Sequence, residues 1–313
     1  MKRLSEGLVF SGALIALIGI GQFILQFFIG INSLYNFWAE HVAALFLGKT
    51  FSQSVLEHPS WLVNISGHTY FRAISIFPDP HMLSLFLGLL LPIAVVFFLE
   101  RKKNLWLFCA LVIFLADILT FSRGGYLGLA GALVVLFFIF QKKIVRKYKI
   151  IFFAGLFFLI ATLIIPNPIA TRFFSSFNLE EGSNAGRLVM WNEAVKNIST
   201  HPLIGVGLGN FPLSVNPLAD YREPIYAHNT YLDIAVESGI PAALFWTGFL
   251  LLAIITFLKK IKIDRFYLGL TLSLVIFAVH SIVEMGLYSP VVLTLLLIIA
   301  AFSTIQEKNE KIF

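Results

Sequence analysis

The sequence predicts an all-α integral membrane protein with about eight transmembrane helices, and three observations predict it. Of 313 residues, 58% are hydrophobic and 13% charged, against roughly 45–50% and about 25% in soluble globular chains. So little polar surface does not cover so large a core in water. The apolar residues also fall into runs of crossing length. Finally, the basic residues alternate between the two sides those runs define.

The runs are 7–31, 81–99, 104–121, 124–140, 150–166, 239–258, 266–284 and 287–304, near the ~17–25 residues that cross the hydrocarbon core as a helix. The first follows Met1-Lys2-Arg3. It is too long for a signal-peptide core and lacks a small-x-small cleavage site, so it reads as a retained anchor. Placing the N-terminus inside puts sixteen of the 23 Lys and Arg in cytoplasmic segments: 2–3, 101–103, 142–149, 259–265 and 308–311. Short cytoplasmic loops collect positive charge, so both termini are expected in the cytoplasm. The net charge of +6 is then topological and gives no reason to invoke nucleic acid. The single Cys109 forms no intrachain disulfide and belongs to no metal-ligand spacing.

The chain reads as one polytopic domain, 1–313, with two long extracytoplasmic segments, 32–80 and 167–238. In the first, Ala39–Leu47 is mildly amphipathic. In the second, a helical pattern follows Asn184-Ala185-Gly186 and ends at His201-Pro202. A Gly-rich turn, Gly205–Asn210, comes next, then a short helix over His228–Glu237 and a break at Gly239-Ile240-Pro241. The Gly-rich turn lacks the strand and βαβ unit of a dinucleotide site. It reads as backbone approaching a neighbour closely.

Inside, Lys outnumbers Arg by twelve to four; outside, Arg outnumbers Lys by five to two. Topology needs only positive charge, whereas the planar guanidinium fork suits phosphate and carboxylate. Arg123, in Thr120-Phe121-Ser122-Arg123-Gly124-Gly125, sits where a cation is costly unless it is paired or lines a polar cavity. The Gly pair suggests a bulky neighbour. Arg187 stands four residues before Trp191, on one helical face: a surface stack or a phosphate clamp with a wall for a sugar. Arg72 precedes a span in the same manner. Arg172 and Arg222 read as solvated loop residues. His228, followed by Asn229, suits a general base. His280 and Glu284, spaced i, i+4, mark a polar face in a late span. Asp117 reads as a structural partner. No second His or acid stands three or four residues from His228, so no metal is expected.

These segments occur in order: Arg72–Leu83, Thr120–Gly125, Gly186–Trp191, His201–Gly207, His228–Leu232 and Glu237–Pro241. Together they resemble the O-antigen ligase and O-antigen polymerase family of bacterial surface-polysaccharide enzymes. The resemblance implies a GT-C-like membrane glycosyltransferase with one large extracytoplasmic loop containing short helices. Its donor would be a glycan on undecaprenyl diphosphate, its acceptor a glycan, lipid or protein hydroxyl, with no cofactor and no metal. By that pattern Arg123 and Arg187 match the arginines assigned to the diphosphate and His228 the base, while Glu284 falls where a late span often carries an acid. Arg72, Trp191, Asn229 and His280 complete the expected substrate-binding set. Most members carry further spans upstream, so a shortened member is expected. The competing classes are a lipid-linked glycan flippase and a non-catalytic component of a polysaccharide export complex. The absence of an inverted repeat and the one-sided polar residues speak against a flippase.

Overall fold

The computed structural model describes residues 1–57, 60–65, 67–141, 153, 155–157, 167–175, 182–219 and 225–305. Among the described residues three helices are long and apolar enough to cross a membrane: α1 (Lys2–Ile29), α5 (Pro80–Arg101) and α12 (Ile240–Lys260). Four shorter apolar helices accompany them: α6 (Asn104–Leu119), α7 (Arg123–Gln141), α13 (Phe266–His280) and α14 (Pro290–Ala301). Seven of the eight expected runs thus form apolar helices. The run 150–166 and the basic stretch 142–149 lie outside the described residues, save 153 and 155–157.

Helix α5 is the centre of the bundle, packed by α1, α6, α7 and α13, with α7 also packed against α13. Its side chains are buried almost throughout, which explains a run apolar on every face. Close approach depends on small residues where helices cross. A Cβ on Gly88 of α5 would lie 2.7 Å from Ile276, and one on Gly128 of α7 2.9 Å from the Ile276 carbonyl. Pro92 interrupts the α5 ladder. One turn before it, Ser273 Oγ donates to the Leu89 carbonyl at 2.6 Å. Helix α12 is peripheral and mostly uncovered.

Ion pairs mark one end of the bundle. Lys2 meets Asp264 at 2.6 Å and Arg101 meets Glu6 at 2.5 Å. Lys260 Nζ donates to the Ser303 and Ile305 carbonyls at 2.8 and 2.9 Å. The chain start, the 101–103 turn, the 261–265 turn and residue 305 therefore share one end. The opposite end carries the two long segments.

One sequence expectation is corrected, that for His280 and Glu284. The segment 32–80, long enough to fold, does so. It holds α2 (Ile31–Phe37), a π-helical stretch Trp38–Ala43, α3 (Ala44–Leu47), α4 (Lys49–Glu57) and an antiparallel hairpin, β1 (Leu62–Ile65) with β2 (His68–Phe71). Tyr35, Trp61 and Phe71 pack as an aromatic cluster beneath it. Helix α13 stops at His280. Glu284 lies in the following turn, so these two residues are not an i, i+4 pair on a helix. Within Ala39–Leu47, Ala39 and Ala43 are buried in that cluster while Leu45 and Phe46 stay exposed. In the second long segment α9 (Gly182–Thr200) and α11 (Thr230–Ser238) fall near their expected places, and α8 (Pro168–Phe174) and α10 (Phe211–Val215) are additional helices.

Candidate functional site

The polar end gathers around one carboxylate. Glu284 is 4% exposed at its side chain and takes three partners. Arg187 Nη2 donates to Oε1, His81 Nδ1 lies 3.3 Å from Oε1, and His228 Nδ1 lies 3.4 Å from Oε2. Burial alone would raise this carboxyl. His81, the His228 hydrogen bond and Arg187 together outweigh it and hold Glu284 well below the usual carboxylate range. The turn that carries Glu284 is itself fixed. Thr230 Oγ1 donates to the Glu284 carbonyl at 2.8 Å, and Thr230 N–H to the Ser281 carbonyl at 2.9 Å.

His228 precedes α11 in a left-handed backbone conformation, φ 49°. For a non-glycine residue this costs about 1–2 kcal/mol, so its surroundings must over-determine it. They do. Asp233 Oδ1 accepts from Ala227 N–H at 2.8 Å and Oδ2 from Asn229 N–H at 3.3 Å, clamping both neighbours of His228. Burial pushes the Asp233 carboxyl up to about 6. The Asn229 side chain caps α11, accepting from Tyr231 and Leu232 N–H at 3.0 and 3.1 Å. Asn229 oxygen is thus committed to the helix.

The His228 side chain is 36% exposed, the most open of the group. A carboxylate only accepts, so the His228 proton belongs on Nδ1 and its Nε2 carries the lone pair. For His81, Arg72 Nη2 lies 3.5 Å from Nε2. Guanidinium only donates, which assigns Nε2 as acceptor and the proton to Nδ1. Ser122 Oγ lies 2.9 Å from His81 Nδ1 and 3.2 Å from His280 Nε2. A continuous polar line therefore runs His280–Ser122–His81–Glu284–His228.

The remaining expected residues divide by exposure. Arg187, on α9, reaches Glu284. Trp191, one turn on, donates its indole N–H to the Ala227 carbonyl at 2.8 Å and packs with Ala194, Phe211 and Val236. It hangs α9 on the segment leading to His228. Arg123 is buried and donates to the Ser175 carbonyl at 3.3 Å. Asn184, near the start of α9, donates to that same carbonyl at 3.0 Å. Arg72 and His280 were expected to meet substrate. Both are buried, Arg72 donating to the Thr120 and Ser60 carbonyls at 2.7 and 3.3 Å. Burial pushes Arg72 down to about 9, with Arg172 repulsion adding to it, so it stays charged at neutral pH.

The Gly124-Gly125 pair admits neighbours from within the protein: a Cβ on Gly124 would lie 2.3 Å from the His280 ring, and one on Gly125 2.2 Å from Ser84 Oγ. Ser84 in turn donates to Asp117 at 2.5 Å, the structural role expected of Asp117. Sequence reasoning missed His81 and Ser122 as site members. The one signal for His81 was its place directly after the Asp79-Pro80 helix start. Among the described residues no group of three or more His, Cys, Asp or Glu is arranged to hold a metal ion.

A basic cluster, an open imidazole backed by a carboxylate and a segment of ordered short motifs now stand together. Residues 108–247 match the O-antigen ligase family. The match covers the stretch that carries Arg123, Arg187, Trp191, His228 and Asn229, and the sequence resemblance holds there. With it comes, in general terms, O-antigen ligase-type glycan transfer by an integral membrane protein of the cell envelope. Arg72, His81, His280 and Glu284 lie outside the matched residues, and the structure alone brings them to the O-antigen ligase segment. No curated protein matches the chain.

Proposed function

We propose that this protein is a membrane glycosyltransferase that moves a glycan from an undecaprenyl-diphosphate donor onto an acceptor hydroxyl, without a metal, at the extracytoplasmic face. The observation that carries the reading is the Glu284 carboxylate bonded at once to Arg187 and His228. Outside the cytoplasm no ATP is at hand, so the activation arrives in the substrate as a diphosphate leaving group. His228 Nε2 takes the acceptor proton. The acceptor oxygen bonds to the anomeric carbon as the carbon–oxygen bond to the diphosphate breaks, and the electron pair leaves with the lipid diphosphate. Attack from the opposite face inverts the anomeric centre. Arg187 stabilises the charge that develops on the diphosphate, and Arg123, buried and held by the Ser175 carbonyl, adds its positive charge from behind. Glu284 is a positioning residue: it fixes the tautomer of His228 and the fork of Arg187. His81 and Arg72 hold Glu284 from behind.

Two sequence-level arguments support the orientation: the basic residues alternate across the spans, and the ion-paired end carries both Lys2 and residue 305. The test uses purified protein in lipid with a lipid-diphosphate glycan, an acceptor and a chelator. His228→Ala is expected to lose about 10²–10⁴ in rate, the usual worth of positioned proton transfer, while donor binding survives. His228→Gln, which is no useful base, is expected to be nearly as inactive. Wild-type turnover by His228→Gln overturns the base assignment, and loss of wild-type turnover in chelator overturns metal independence.

A further inference from the structure

The Gly-rich turn that the catalytic reading leaves unused presents apolar side chains outward. Leu203, Ile204 and Leu208 are 72%, 81% and 81% exposed, and residues 202–219 contain no charged side chain. Water is a poor solvent for such a surface. The loop cannot fold these residues back, because its backbone is pinned. Val206 and Gly207 N–H donate to the Val236 and Glu237 carbonyls at 2.8 and 3.0 Å, and Ile240 N–H donates to the Pro202 carbonyl at 2.8 Å. Gly239, at φ 87°, touches the Leu203 backbone so closely that a Cβ there would lie 2.2 Å from its carbonyl oxygen. The loop is thereby fastened to the first residue of α12.

Helix α12 is the most uncovered of the three long spans. Its exposed large hydrophobics, Ile240, Leu244, Phe245, Leu251, Leu252 and Ile255, recur at helical spacing and form one broad face along its length. That face meets lipid in a membrane protein, and the loop is bonded to the end of the helix that carries it. We propose that the 202–209 loop is an interfacial anchor whose Leu203, Ile204 and Leu208 insert into the lipid leaflet beside α12. Insertion of apolar side chains at the headgroup–acyl boundary is what such a surface stabilises. Because the same loop is bonded to the end of α11, the anchor sets the height of the 228–238 segment above the membrane.

The experiment places one nitroxide at a time on Leu203→Cys, Ile204→Cys, Leu208→Cys and, as a control, Ser199→Cys, in the full chain reconstituted in phosphatidylethanolamine–phosphatidylglycerol bilayers. Cys109 is 1% exposed and is left in place. Collision with oxygen, which concentrates in lipid, is compared with collision with a water-soluble nickel chelate. The expected result is oxygen-dominated collision at the three loop positions and nickel-dominated collision at Ser199→Cys. Nickel-dominated collision at the loop positions overturns the anchor. Weak collision with both reagents, the mark of a covering protein or a second copy, overturns it equally.

Discussion

Replacing Glu284 by Gln tests the hub of the site without changing its volume. Gln offers one carbonyl acceptor and one amide that donates. Arg187 only donates, so the carbonyl arm is expected to turn to it. The amide arm then faces His228 Nδ1, where Oε2 now stands at 3.4 Å. Two donors cannot bond, and His228 must shift its proton to Nε2 in order to accept at Nδ1. The atom that should take the acceptor proton is then already protonated. A geometry-preserving acid-to-amide change in an acid–His pair costs about 10⁴ in rate in serine proteases, and a lost general base about 10²–10⁴. A loss of about 10²–10⁴ in turnover is expected. Stability falls as well. Removing one partner of a buried ion pair costs about 3–5 kcal/mol; Arg187 is still 15% exposed at its side chain, which argues for the lower end, about 3 kcal/mol. The assay is single turnover of lipid-diphosphate glycan onto acceptor, with folded protein matched between variants. Glu284→Asp keeps the charge on a shorter arm, and its rate is expected between the two. Wild-type turnover by folded Glu284→Gln refutes the claim that this carboxylate sets the His228 tautomer.

Arg123→Lys and Arg187→Lys are each expected to lose most activity: at 187 Lys keeps the charge without the fork that grips two phosphate oxygens, and at 123 without the fork that holds the Ser175 carbonyl; normal turnover by both restricts them to topology or packing. Asn229→Ala removes the α11 cap and is expected to cost about 1 kcal/mol of stability, read as a lowered melting temperature in lipid. Asp233 has its carboxyl raised by burial from 3.8 to about 6. Its contribution to stability is therefore present in full below about pH 4 and falls as pH rises through about 6. The difference in melting temperature between wild type and Asp233→Asn is expected to change across that window, and a pH-independent difference contradicts the assignment.

Hydropathy alone made most of the bundle legible, since lipid leaves a helix little freedom other than to be long and apolar. Helix ends were legible where local chemistry writes them: Asn229 as a cap, His201-Pro202 as a stop, Gly239-Ile240-Pro241 as a start. The hairpin 62–71 was not legible. Its strands are short, and what holds them is Tyr35 meeting Phe71 across more than thirty residues, with Trp61 stacked on the same ring. The site was half legible. Arg123, Arg187 and His228 stand in recognisable local patterns, but the contact of Arg187 with Glu284 joins residues 97 apart, and no local spacing announces it. The same holds for His81. Trp191, beside an Arg, read equally as a surface stack or a wall for a sugar; the bond of its indole N–H to the Ala227 carbonyl is one that no spacing announced.

The site draws on segments from residue 72 to residue 284, and its single shared carboxylate is the last to be synthesised. During synthesis, Arg187, His81 and His228 are made before the counter-charge that assembles them. Until the chain beyond α13 has been made, these groups lack their common partner. Assembly of the site is then a late event in biogenesis, and a product truncated before residue 284 would occupy the membrane with most of its spans yet leave the cluster without its hub.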